Sequence, residues 1–186
     1  QRLGLDQSLV IQLVRWYGRL LSGDLGDSIF LRRPVLWAIG ERAEPTLLLT
    51  AFATLVAVLI GIPAGVVSAR YHNSLADQSL MVLALLGISI PNFLLGLLMI
   101  LLFGVWLGWL PVAGYVPLEA GLWLNLRSLL MPSVSLGLVQ SALIARITRS
   151  SMLDVLREQY IVTGRAKGLH ERWVVHKHAL KNAIIP

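Results

Sequence analysis

Three stretches of this chain carry no charged residue: Pro45 to Ala69, Gln78 to Leu118 and Ser128 to Ala145. Polar and charged segments flank and separate them. About 20 apolar residues of helix cross the roughly 30 Å hydrocarbon core of a bilayer. The first stretch predicts one crossing over 45–69. The second is too long for a single crossing and breaks naturally at Gly108. Residues 79–107 then supply a long span, and GWLPVAGYVP an interfacial loop with Trp109 and Tyr115 at headgroup depth. A split at Pro91 would leave a first half of about 12 residues, too short to cross. The third stretch is 18 residues long and predicts a span over 128–146. The pattern predicts an all-α, polytopic transmembrane helical bundle with three spans.

The flanking segments are patterned too. In residues 1–44, Asp6 is placed to cap a helix whose Leu9, Val10, Leu13, Tyr17, Leu20 and Leu21 share one face. Turns follow at Ser22-Gly23-Asp24 and Gly26-Asp27. Pro34 suits the first position of a second short helix, with Leu36 and Ile39 beneath it. Such helices lie on the outer membrane surface or pack on neighbouring spans. The cytoplasmic loop over 150–186 divides into two short helices joined at Gly168, which can take the backbone angles that end a helix and turn the chain. Met152, Val155, Leu156 and Tyr160 fall on one face before it, and Trp173, Leu180 and Ile184 on one face after it. On pattern alone this is either a docking hook or an ordinary basic loop beside a membrane.

Composition agrees with the pattern. Hydrophobic residues make up 56% of the 186, charged residues 14%, and the mean hydropathy is +0.71; soluble domains carry about 25% charged residues. The net charge of +6 does not point to nucleic acid, because eight of the sixteen Lys and Arg lie in Arg146–Pro186, beside the third span. That placement is the positive-inside pattern and puts this end in the cytoplasm. Residues 1–44 and 108–127 then face outside. Trp173 is the only aromatic after Tyr160, which also argues against a nucleic-acid surface. With no cysteine, the chain carries no thiol or disulfide chemistry. Gln1 is no initiator, and the apolar run at Pro186 reads as the start of another span, so the expectation is a fragment of a longer membrane protein.

No catalytic constellation is present. A G-x-x-x-x-G-K-[ST] phosphate loop is missing, so ATP hydrolysis is not expected of this chain. His170, His176 and His178 have no acidic or thiol partner at ligand spacing, and a solvated basic face is the better reading than a metal site. Polar residues within the spans are few. Ser89, Asn92 and Gln140 either line a translocation path or bond across packed helices. Pro91 predicts a kink in mid-span, and Gly61-Ile62-Pro63 a second one in the first span. An ion-coupled transporter or channel would carry ionisable residues inside its spans, and these three have none.

Several blocks, in order, resemble one family. YIVTGRAKGL at 160–169, Glu171-Arg172 and HALKNAIIP at 178–186 are similar to the cytoplasmic loop of ABC importer permeases. LGLDQ at 3–7, SGDLGDS at 22–28, RRPV at 32–35, LLGISIPNFLLGLL at 85–98, LGWLPVAGY at 107–115 and LLMPSVSLGL at 129–138 narrow the resemblance. They match the first of the two permease subunits in dipeptide, oligopeptide and nickel importers.

The resemblance implies the type I importer permease fold in a bacterial or archaeal cytoplasmic membrane, with about six spans, of which this chain holds the second to fourth. Residues 1–44 would be extracytoplasmic and 45–186 the permease domain. It implies a non-catalytic subunit that forms a pathway with a second permease and meets cytoplasmic ATP-binding subunits, which hold the ATP and magnesium. An extracytoplasmic binding protein would deliver substrate. The substrate class would be peptides, with nickel or glutathione the alternatives. By position, Ala166, Lys167, Gly168 and Leu169 would form the tip that meets the ATPase, with Tyr160, Thr163, Arg165 and Arg172 supporting it. The chain departs from the wider motif at Val162-Thr163-Gly164, where Glu-Ala-Ala is usual. It departs again at His170, where a serine would cap the second helix, and at Pro45, one residue later than usual. Gly164 predicts a frayed first helix, about 1 kcal/mol less stable than alanine would make it.

Overall fold

The computed structural model describes residues 8–184, so the expected cap at Asp6, the LGLDQ block and the closing Pro186 lie outside the described residues. The chain divides into two compact units at Leu47.

In the first unit, α1 (Leu9–Leu21) forms where the apolar periodicity places a helix. Its apolar face is uncovered: Leu9, Leu13 and Tyr17 are all exposed. A turn closes over 22–34, pinned by the Asp24 carboxylate on the Gly26 N–H (2.9 Å) and by the bridge between Asp27 and Pro34. Pro34 does not open a separate short helix. It precedes α2 (Val35–Arg70), 36 residues that run through both Pro45 and Pro63 without interruption.

The second unit is built on α5 (Leu122–Val155), longer at both ends than the predicted third span. Asn125 and Arg127, in its added first turns, hold the preceding loop: Asn125 Nδ2 donates to the Val116 carbonyl (2.7 Å), and Arg127 donates to the Trp109 carbonyl. Two reciprocal stripes of small residues join α2 to α5. Ala53, Ala57, Gly61, Gly65 and Ala69 recur every four residues and are buried; so are Ser133, Gly137, Ser141 and Ala145. A Cβ on Gly61 would stand 2.7 Å from the Ser141 carbonyl oxygen, and one on Gly65 2.6 Å from that of Ala145. Gly61 therefore serves close approach of two backbones, not the bend its neighbour Pro63 predicted.

The predicted long span over 79–107 is broken. Helix α3 (Leu75–Ser89) and α4 (Asn92–Met99, continued as π-helical turns through Trp106) meet at 97°. Ile90 is extended (φ −80°, ψ 122°), as a residue preceding proline prefers, and Pro91 supplies no N–H to bridge the gap. The result is a full break where a kink was expected. Among the described residues, two helices are long and apolar enough to cross a membrane, α2 and α5, or three spans if the bent pair counts as one.

Candidate functional site

After α5 the chain makes a hook. Leu156 to Glu158 form a tight turn, with Arg157 N–H on the Asp154 carbonyl (3.2 Å) and Glu158 N–H on that of Val155 (3.0 Å). Tyr160 therefore starts a new helix, α6 (Gln159–Ala166), and does not share a helical face with Met152 as the spacing suggested. Gly168 has φ +78° and ends α6. Its N–H bonds the Arg165 carbonyl (2.9 Å), and the Leu169 N–H reaches back to Gly164 (3.2 Å). This is the Schellman pattern of a glycine-terminated helix. The position opposite for its usual apolar contact is Gly164, where an added Cβ would stand 3.4 Å from Leu169 Cδ1. Helix α6 continues through Gly164 to Ala166, without the fraying that residue predicted.

The second arm starts at α7 (Glu171–Trp173), followed by π-helical turns over Val174–Ala179 and by α8 (Leu180–Ala183). His170 does cap it: Nδ1 accepts from the Arg172 N–H (3.3 Å), replacing the serine a cap would ordinarily use. The π turns shift the register. Trp173 and Ile184 are exposed in consequence, and Val174, Val175, Ala179 and Ala183 form the inner face. These four pack with Ile161 of α6 against Val66 and Ala69 of α2 and Met152 of α5.

Two polar links brace the hook. Asn182 Nδ2 donates to the Tyr160 hydroxyl (2.7 Å), tying α8 to α6. Arg165 grips Glu171 across the turn with two bonds, Nη2 to Oε1 at 2.8 Å and Nε to Oε2 at 3.1 Å. That guanidinium holds the Glu171 carboxyl below its ordinary value of 4.5 and is itself pushed up by the carboxylate. The pair's contribution is thus intact above the ordinary carboxyl value and lost only as pH falls through the depressed one. Both side chains are about two-fifths exposed, so the pair is worth at most about 1 kcal/mol. Amide exchange at Gly168 and Leu169 should stay constant from about pH 8 to about pH 5, after correction for intrinsic rates. A rise within that window would show that another group closes the turn.

The remaining tip residues, Ala166, Lys167, Leu169 and Arg172, are exposed. Thr163 is not turned to the tip; its hydroxyl donates to the Gln159 carbonyl within α6 (2.9 Å). Val162, Leu169 and Trp173 leave apolar surface uncovered beside these cations. Ser89, Asn92 and Gln140 are exposed as well, and the Ser89 hydroxyl bonds the Leu85 carbonyl of its own helix (2.8 Å). Ser89 and Asn92 flank the break at Ile90–Pro91.

A family model for the binding-protein-dependent transport system inner membrane component matches residues 61–186, which include α3, α4, α5 and the hook. The chain belongs to that family. Over its whole length it is 46% identical to a glutathione transport system permease protein, GsiC, of Salmonella paratyphi A. It is 46% identical over 98% of its length to a putative peptide transport system permease protein of Brucella suis biovar 1. The GsiC protein of Escherichia coli O6:H1 is 45% identical over the whole chain. The chain spans 58% of the length of each of these relatives.

In this transport-system component, one polar cluster was not anticipated from the sequence. The Asp77 carboxylate lies buried between α2, α3 and α5, and Arg149 Nε and Nη2 grip its two oxygens at 2.7 and 2.8 Å. The Ser68 hydroxyl and the Asn73 N–H (2.9 Å) also donate to it, and His72 Nδ1 stands 3.3 Å from its Oδ2. The only sequence signal was Ser74-x-x-Asp77, a capping pattern at the start of α3: the Ser74 hydroxyl accepts from the Asp77 N–H (3.3 Å). Nothing in the pattern linked Asp77 to an arginine 72 residues away.

Proposed function

We propose that this chain is part of the permease subunit of an ATP-driven, binding-protein-dependent importer in a bacterial or archaeal inner membrane. The observation that carries the proposal is the hook: a glycine-terminated turn with exposed Ala166, Lys167, Gly168, Leu169 and Arg172, seated on the C-terminal ends of α2 and α5. A turn braced by Tyr160–Asn182 and Arg165–Glu171 and packed through Ile161 and Val175 moves with the helices beneath it. Separate ATP-binding subunits would grip the tip, with magnesium and ATP on their side. Their closure would shift the permease between inward and outward access by its different contacts in the two states. The chain itself would be non-catalytic.

The pathway would run along the face that α3, α4 and α5 leave uncovered, toward a second permease. In a bilayer, a broken helix is tolerated where its backbone faces protein or water. The break at Ile90–Pro91, with Ser89 and Asn92 beside it, meets that condition on a path between two permeases, and Gln140 of α5 would lie on the same route. Peptides are the proposed substrate class, supported by the relatives' names, with glutathione as the second reading and nickel as the third.

The test is uptake into proteoliposomes holding the full-length protein, its partner permease and ATP-binding subunits, with binding protein outside. Uptake of labelled dipeptides should require both ATP inside and the binding protein. Glutathione taken up in preference would move the substrate to the second reading. Uptake driven by an ion gradient without ATP would contradict the proposal.

A further inference from the structure

Asp77 binds three structural elements at one point. Its Oδ1 accepts from the Ser68 hydroxyl of α2 and from Arg149 Nε of α5, and its Oδ2 accepts from Arg149 Nη2 and from the Asn73 N–H in the α2–α3 turn. His72 Nδ1 stands 3.1 Å from Arg149 Nη2 and 3.3 Å from Asp77 Oδ2, at the mouth of the cluster. The Asp77 side chain is 3% exposed and that of Arg149 23%. The cluster lies next to the platform that carries the hook. On α2, Ser68 sits between Val66 and Ala69; on α5, Arg149 is one turn before Met152. Those three apolar residues form the surface on which the hook's inner face packs.

The chemistry of the link matters. Farther along, α3 meets α5 through apolar groups, such as Gly87 against Ala142, which carry no directional bond. A forked guanidinium–carboxylate pair has one good register, and displacing it leaves a buried charge without its partner. Helix α3 is therefore pinned at its base to the two helices that bear the hook, and at its other end it reaches the break at Ile90–Pro91.

We infer that Asp77 and Arg149 are a positioning pair for transport: they pass displacement of the hook to α3, and through α3 to the broken segment that lines the pathway. This rests on the docking role proposed above. No contact with substrate or ATPase is assigned to either residue. Both act on where α3 stands.

The test uses the full-length transporter with all its partners in proteoliposomes, measuring substrate taken up per ATP hydrolysed. The double variant D77N/R149Q removes both charges, so no buried ion is left alone, and R149K keeps the charge but not the fork. Both variants should assemble and hydrolyse ATP within about twofold of the parent, while uptake per ATP falls about tenfold in the double variant and less in R149K. An unchanged ratio in the double variant overturns the inference. So does failure of both variants to assemble, which would make the pair a support of the fold alone. A parent transporter that shows no ATP-driven uptake defeats the docking role itself, and is recognised before any variant is compared.

Discussion

Valine in place of Gly65 is expected to separate α2 from α5 and to abolish the stable fold. A Cβ there would stand 2.6 Å from both the Ala145 carbonyl oxygen and Thr148 Cβ, and two of the three nearest atoms belong to a β-carbon or a backbone that cannot rotate away. Valine adds two methyl groups to that clash. Overpacking of this kind costs about 3 kcal/mol, the upper end of its usual range, and here it also parts backbones whose close contact drives association in lipid. The detergent-solubilised full-length protein should lose its cooperative melt or melt far lower. Gly40→Ala is the matched control, since nothing lies within 4 Å of a Cβ there. A Gly65→Val protein with the parent's melting temperature would show that the two stripes do not touch.

The second large effect is at Gly168. Its φ of +78° lies where a β-branched residue is an outlier, although no atom stands within 4 Å of a Cβ there. Gly168→Val should therefore cost about 1–2 kcal/mol through the backbone alone, enough to open the turn and misplace Leu169 relative to Arg165 and Glu171. The core residues beneath, Ile161 and Val175, are untouched, so the protein should reach the membrane in normal amount. On the proposed docking role, ATP-driven uptake should fall by at least about tenfold, with Gly168→Ala intermediate. Normal uptake in the valine variant would mean that the turn's shape has no part in coupling.

These effects differ in how far the sequence announced them. The turn at Gly168 was legible because one glycine between two helical patterns has few other uses. The second arm misled: π-helical turns over 174–179 carry Trp173 outward and Val174, Val175 and Ala179 inward, and no 3.6-residue period contains that shift. At His170 an imidazole nitrogen accepts, at 3.3 Å, the cap bond that a serine hydroxyl would ordinarily take. The stripe from Ala53 to Ala69 stood in plain view at a four-residue spacing. Its meaning depended on a matching stripe some 80 residues later, which local pattern does not connect. Pro91 gave the place of the α3–α4 break but not its 97°, because a proline kink and a full break begin from the same missing N–H. Asp77 and Arg149 were the least visible: each reads alone as a charge at the end of a span, and only the fold pairs them.

The most direct test of the account places one cysteine at Leu169 (Leu169→Cys) in the full-length protein. Inside-out vesicles containing the ATP-binding subunits would be treated with a thiol crosslinker, with and without ATP. The account predicts a crosslink between this position and the ATP-binding subunit, with a yield that changes on adding ATP. A cysteine that is freely labelled from the cytoplasmic side yet never joins the ATP-binding subunit would contradict it.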